Sequence, residues 1–119
     1  MSNINESLSA LVGIDGAMCA ALVDSRSGMI LGQAGTGLDL DIAAAGNTEV
    51  MRAKQSTMKA LGLKDTIDDI LITLTSQYHI IRPLSANSSV FLYLVLESAR
   101  SNLALARYKV AEIDRQLVL

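Results

Sequence analysis

The chain has 119 residues, 50% of them hydrophobic, a mean hydropathy of +0.36 and a net charge of −2; that suffices for one domain, 1–119, whose core needs no metal or disulfide. Its ten basic and twelve acidic side chains form no basic run and its aromatics are three Tyr and one Phe, which argues against the positive, stacking surface of a nucleic-acid binder. Apolar runs such as Val90–Leu96 are far shorter than the roughly 20 residues of a membrane span, Met1–Glu6 carries no signal-peptide pattern, and a single cysteine, Cys19, fits a reducing cytoplasm.

Ile4, Leu8, Leu11 and Val12 make one helical stripe, so a first helix spans Met1–Gly13, with Asn3 and Glu6 as a capping box and Gly13 as its stop. Ala17–Asp24 and Met29–Gln33 read as a hairpin joined by Ser25-Arg26-Ser27-Gly28, in which Gly28 supplies a positive φ. Ala34–Leu40 is a loop. Asp39 or Asp41 caps the next helix, which runs from Leu40 to Leu61 with Gly62 as its C′ residue. Its stripe is Ala44, Val50, Met51, Met58 and Leu61, yet Asn47 and Lys54 fall on the same face. A dry core does not choose those two. A partly wet seam against another helix does.

Thr66–Thr75, Gln77–Leu84 and Ser89–Glu97 read as consecutive antiparallel strands with short polar connections. The last has Val90, Leu92, Leu94 and Leu96 on one face and Phe91, Tyr93 and Val95 on the other, and is therefore central. Pro83 closes the middle strand, where a missing N–H does least damage. Ser98 caps a final helix, Ala99–Leu117, with Ala99, Leu103, Ala106, Val110, Ile113 and Leu117 as its apolar seam. Arg100, Arg107, Lys109, Glu112, Asp114 and Arg115 fill the rest. The order is α-β-β-α-β-β-β-α, an α/β (α+β) arrangement without repeat or linker.

The first strand of this meander, Asp69, Ile70, Leu71, Ile72, Thr73 and Leu74, has a sequence neighbour on one side only. No Pro or Lys protects its other edge, which makes it an aggregation hazard. Pairing with the same strand of a second copy removes the hazard, and a two-fold axis then brings the two long helices together. The expected homodimer contact is that strand with Asn47, Val50, Met51, Lys54 and Met58 of the helix.

Residues in patterns that carry chemistry are scarce. Gly32-Gln33-Ala34-Gly35-Thr36-Gly37 is followed by Leu38, not by the Lys-Ser/Thr end of a phosphate loop, so this chain is not expected to bind GTP. His79, the single histidine, sits mid-strand and is expected to be a hydrogen-bonded or part-exposed strand residue, since a base needs an orienting partner and a nucleophile nearby. Asp68 and Asp69 are adjacent and point to opposite faces of a strand, and Cys19 is packing. No catalytic residue, cofactor or metal site is expected, so the chain reads as a non-enzyme. Glu49, Arg52 and Lys54 form either a solvated helix face or a polar platform for a partner across the dimer axis; Arg82 and Arg100 are charges without a place.

GAMCAALVDSRSGMILG at 16–32, GNTEVMRAK at 46–54, DDILITLTSQYHIIRPL at 68–84 and FLYLVLESARSNLALAR at 91–107, taken with the element order, make the chain similar to the Roadblock family, the dynein light-chain Roadblock and Ragulator-type domains. It most resembles the small stand-alone bacterial members. The resemblance implies a five-stranded antiparallel sheet of order 2-1-5-4-3 between one central helix and two terminal helices. It also implies dimers that share a continuous sheet through the third strand. The function it implies is a cytoplasmic, non-catalytic homodimer that binds and regulates a small Ras-like GTPase; some bacterial members of the family are activating partners that reshape its switch loops. The alternative is a scaffold or adaptor in a motility or signalling complex with no GTPase partner. A small-ligand sensor is disfavoured by the few aromatics.

Overall fold

The computed structural model describes residues 2–119. Its elements are α1 (Ile4–Val12), β1 (Ala17–Asp24), β2 (Met29–Gly35), α2 (Leu40–Ala60), β3 (Ile70–Thr73), β4 (Gln77–Pro83), β5 (Val90–Glu97), a 3₁₀ turn (Ser98–Arg100) and α3 (Leu103–Gln116). The five strands form one sheet in the order β2-β1-β5-β4-β3, and every neighbouring pair is antiparallel. This is the architecture expected from the sequence.

Two apolar layers hold the sheet. On one face Cys19, Ala21, Val23, Ile81, Phe91, Tyr93 and Val95 meet Leu40, Ala44 and Met51 of α2. On the other, Ala20, Leu22, Ile80, Leu92, Leu94 and Leu96 meet Leu8 and Leu11 of α1 and Ala106 and Val110 of α3. The middle strand β5 is buried on both faces, as its unbroken apolar run requires. Pro83 ends β4, and Gly28 takes φ +77 in the β1–β2 turn.

The turn between α1 and β1 depends on Gly16. Its φ is +84, and a Cβ there would lie 2.9 Å from the Arg100 carbonyl carbon and oxygen. The Glu97 N–H donates to the Gly16 carbonyl at 2.8 Å, so this turn closes directly on the 3₁₀ turn. Only a residue without Cβ fits both the left-handed backbone and the contact.

Several local expectations are corrected. Asn3 and Glu6 form no capping box. The Asn3 side chain instead donates to the Gln116 carbonyl (2.8 Å) and accepts from the Val118 N–H (2.6 Å), tying α1 to the end of α3. In α2 the buried stripe is Leu40, Ala44, Thr48 and Met51, while Val50 and Leu61 are exposed. Thr48 can face the sheet because its hydroxyl donates to the Ala44 carbonyl at 2.7 Å.

The strand expected at Thr66–Thr75 is shorter, since 66–69 pair with nothing in the sheet. Ser98 does not cap the last helix. Asn102 does, accepting from the Leu105 N–H at 3.1 Å, so Ala99 lies outside the helix. Asp114, expected in solvent, is buried. Finally, β2 runs on through Gly35, so four of the six residues of the glycine-rich stretch are strand.

Candidate functional site

Sheet order leaves two outer strands, β2 and β3. The Leu74 N–H donates to the Gln77 carbonyl at 2.8 Å and closes the β3–β4 hairpin. The alternation of an antiparallel ladder then turns the backbone groups of Ile70 and Ile72 toward β4 and those of Leu71 and Thr73 outward. Among the described residues nothing pairs with that outer row. The edge is regular: Ile70, Leu71, Ile72 and Thr73 stay in step with Ile81, Ile80, His79 and Tyr78. β2 is different. Leu22 pairs with Gly32 but Val23 with Ile30, so Leu31 is an extra residue bulged out of the ladder. A bulge is a common protection of an edge; β3 has none.

Ile70, Leu71 and Ile72 are half-buried, and Thr73 and Leu74 are exposed. The Asp69 carboxylate takes both Nε (2.8 Å) and an Nη (2.9 Å) of Arg107, which clamps the approach to β3 onto α3. Asp68 is exposed and makes no such bond.

Helix α2 covers β1, β5 and part of β2 but leaves a groove of about 330 Å³ beside β4, between Ile42, Ala43, Gly46 and Asn47 of the helix and His79 and Tyr93 of the sheet. Asn47, Val50 and Lys54 follow one another along this flank at helical spacing. Val50 is 37% exposed, Lys54 is exposed, and Asn47 and Met58 are half-buried. Met51, expected in the same contact, is 1% exposed beneath α2 and is corrected to a residue of the protomer core.

The groove floor is polar. Tyr93 Oη lies 2.8 Å from His79 Nδ1, and His79 Nε2 lies 2.9 Å from Gln77 Oε1. The amide oxygen can only accept, so Nε2 carries the proton and Nδ1 accepts from the tyrosine hydroxyl. The rings meet edge to face, 5.5 Å between centroids. Burial pushes the His79 pKa below its ordinary value. It pushes the Tyr93 hydroxyl up, with Asn47 acting in the opposite direction. His79 is thus the hydrogen-bonded strand residue its context suggested, and the cluster around it escaped the sequence because its members are far apart in the chain.

The charges expected to form a platform are not one patch. The Arg52 guanidinium donates to the Ser25 (3.0 Å) and Arg26 (2.9 Å) carbonyls and to Glu49 (2.8 Å), pinning the hairpin tip to α2. Lys54 is two residues further, about 200° around the helix, on the groove flank. Arg82 lies on the opposite face of the sheet, where Nε donates to Asp114 at 2.9 Å. Ser85 gives the same carboxylate its N–H (2.9 Å) and hydroxyl (2.7 Å). Arg100 sits at the surface, 3.9 Å from Glu97. Cys19 is buried, and burial raises its thiol pKa. Among the described residues no three His, Cys, Asp or Glu side chains converge as metal ligands, and no helix is long and apolar enough to cross a membrane.

No family model and no curated protein matches the sequence. Solved structures do match the fold. A Roadblock/LC7 domain from Streptomyces avermitilis superposes with a TM-score of 0.82 at 19% identity, over 97% of this chain and 94% of that one. Myxococcus xanthus MglB gives 0.80 at 15% identity, over 96% and 93%. An MglB in a tetrameric arrangement gives 0.68 at 19%, over 96% and 89%. The chain therefore has the Roadblock/LC7 fold over nearly its whole length.

Proposed function

We propose that the chain is a non-catalytic module that joins a second copy of itself through β3 and the exposed flank of α2, and that the pair binds and regulates a small Ras-like GTPase in the cytoplasm. The observation that carries the reading is the β3 edge: regular, apolar, unpaired, and bordered by a stretch of sheet that α2 does not cover. A second copy supplies both the missing ladder and the missing cover. The bulge at Leu31 supports β3 over β2 as the joining edge. The solved MglB with a tetrameric arrangement supports self-association of this fold. The GTPase rests on the Roadblock resemblance of the four sequence stretches.

Two measurements test it in turn. Light scattering on the wild-type chain and on Ile72→Lys and Leu71→Lys gives a pair for the first and monomer or insoluble protein for the variants. A soluble, unaltered pair in both variants removes β3 from the contact. Binding to small Ras-like GTPases is then compared in their GTP and GDP forms. State-dependent binding supports regulation, state-blind binding supports a scaffold, and no binding ends the GTPase reading.

A further inference from the structure

The polar floor of the α2 groove lies one strand in from the β3 edge. His79 pairs in register with Ile72, so its ring and the Ile72 side chain stand side by side on the α2 face of the sheet. Both ring nitrogens are already engaged, Nδ1 by the Tyr93 hydroxyl and Nε2 by Gln77. We propose that His79 makes the pairing of two copies depend on its protonation: the joined form holds the ring neutral, and a proton on Nδ1 drives the copies apart. This rests on the β3 pairing proposed above.

The argument is one of solvent screening. A proton on Nδ1 turns an acceptor into a donor, so the Tyr93 hydroxyl must turn its own hydrogen away and accept there instead. No carboxylate bonds to the ring, whose two partners are Gln77 and Tyr93. Asp39, at the groove's end, accepts from the N–H groups of Asp41 and Ile42. Asp69, beyond β3, is held by Arg107. The other groups facing the ring are the neutral Gln77 of β4, Tyr93 of β5, Asn47 of α2 and Ile72 of β3. Cys19 and Met18 of β1, on the same face, are uncharged, and Lys54, about two turns along α2 from Asn47, is itself a cation. In a single copy the open groove lets water solvate an imidazolium. A second copy laid over β3 and the groove removes that water, and the charged form then costs more. Linkage makes the effect reciprocal: pairing lowers the proton affinity of His79, and protons weaken pairing.

The chain contains one histidine, so its Cε1–H gives one NMR resonance to follow. We expect its titration midpoint to lie lower in the paired wild-type chain than in monomeric Leu71→Lys, whose new cation stands on the opposite face of the sheet, by about one pH unit. If that variant is insoluble, the wild-type chain above and below its dissociation constant supplies the same comparison. Sedimentation should show the dissociation constant rising about tenfold or more between about pH 7.5 and 5.5, with unchanged circular dichroism, and no such rise in His79→Gln. If His79→Gln does not fold, His79→Asn supplies the same comparison, and its dissociation constant should likewise show no such rise. Equal midpoints in paired and single chains, or an equal pH response in His79→Gln, overturn the inference and leave the pairing intact. A folded wild-type chain that is monomeric at about pH 7.5 overturns the pairing itself.

Discussion

Asp114 on α3 and Arg82 on β4 hold one another at 2.9 Å beneath the surface, with the aspartate side chain 1% exposed and the arginine 18%. The carboxylate is completed by the Ser85 N–H and hydroxyl. Removing the acid leaves a cation with no partner in a largely dry place. Asp114→Ala should therefore cost about 3 kcal/mol in urea unfolding; a loss below about 1 kcal/mol would mean that water reaches Arg82.

The same group sets an acid limit. Burial works to raise its pKa, but the hydrogen bonds from Ser85 and Arg82 outweigh that, so the folded pKa lies below the ordinary aspartate value. Its stabilising contribution is then whole above about pH 4 and is lost as pH falls through the folded pKa. Asp114→Asn should flatten the stability curve below about pH 4. A curve as steep as that of the wild-type chain would assign the acid loss to other carboxylates.

Met51 and Val50 are neighbours in sequence with opposite roles. Met51 is sealed under α2, whereas Val50 is 37% exposed. Met51→Ala should lower unfolding free energy by about 2–4 kcal/mol, and Val50→Ala by about 0.5. Equal losses in chemical denaturation would mean that α2 is rotated from the position described.

Arg52 fastens the β1–β2 tip to α2 through two backbone carbonyls. Arg52→Ala should cost about 1 kcal/mol and speed amide exchange at 25–28. Arg52→Lys should not restore protection, because one ammonium cannot reproduce the planar fork. Unchanged exchange in both variants would show the tip to be held by its own turn.

Lys54 is exposed on the groove flank of α2. Lys54→Glu should weaken GTPase binding several-fold, mainly through slower association, without breaking the pair apart in light scattering. Unaltered affinity in a binding titration would move the partner surface elsewhere.

Much of the architecture was legible in the chain. The two-sided apolar run Val90–Leu96 could only be a strand covered on both faces, and the three short strands before the last helix fixed an antiparallel meander whose first member is an edge. What stayed hidden depended on polar atoms finding distant partners. Asn102 rather than Ser98 starts α3 because its side chain reaches the Leu105 N–H, a choice that propensity does not separate. Asp114 carried a signal that charge concealed. It falls between Val110 and Leu117 in steps of four and three, on the seam itself, and an acid at such a position calls for a cation across the interface. Arg52 looked like surface because nothing in the linear sequence brings a helix arginine to carbonyls some 26 residues earlier. The groove at His79 was invisible for the same reason.

The extra residue at Leu31 also decides how far such joining can go. Two copies fused at β3 would present only the bulged β2 at both outer borders, and a ribbon so terminated offers no template for a third. Growth into a fibre would then stop at its first step. An edge of Ile and Leu would become tolerable in a crowded cell because the opposite margin of the same sheet does not propagate it.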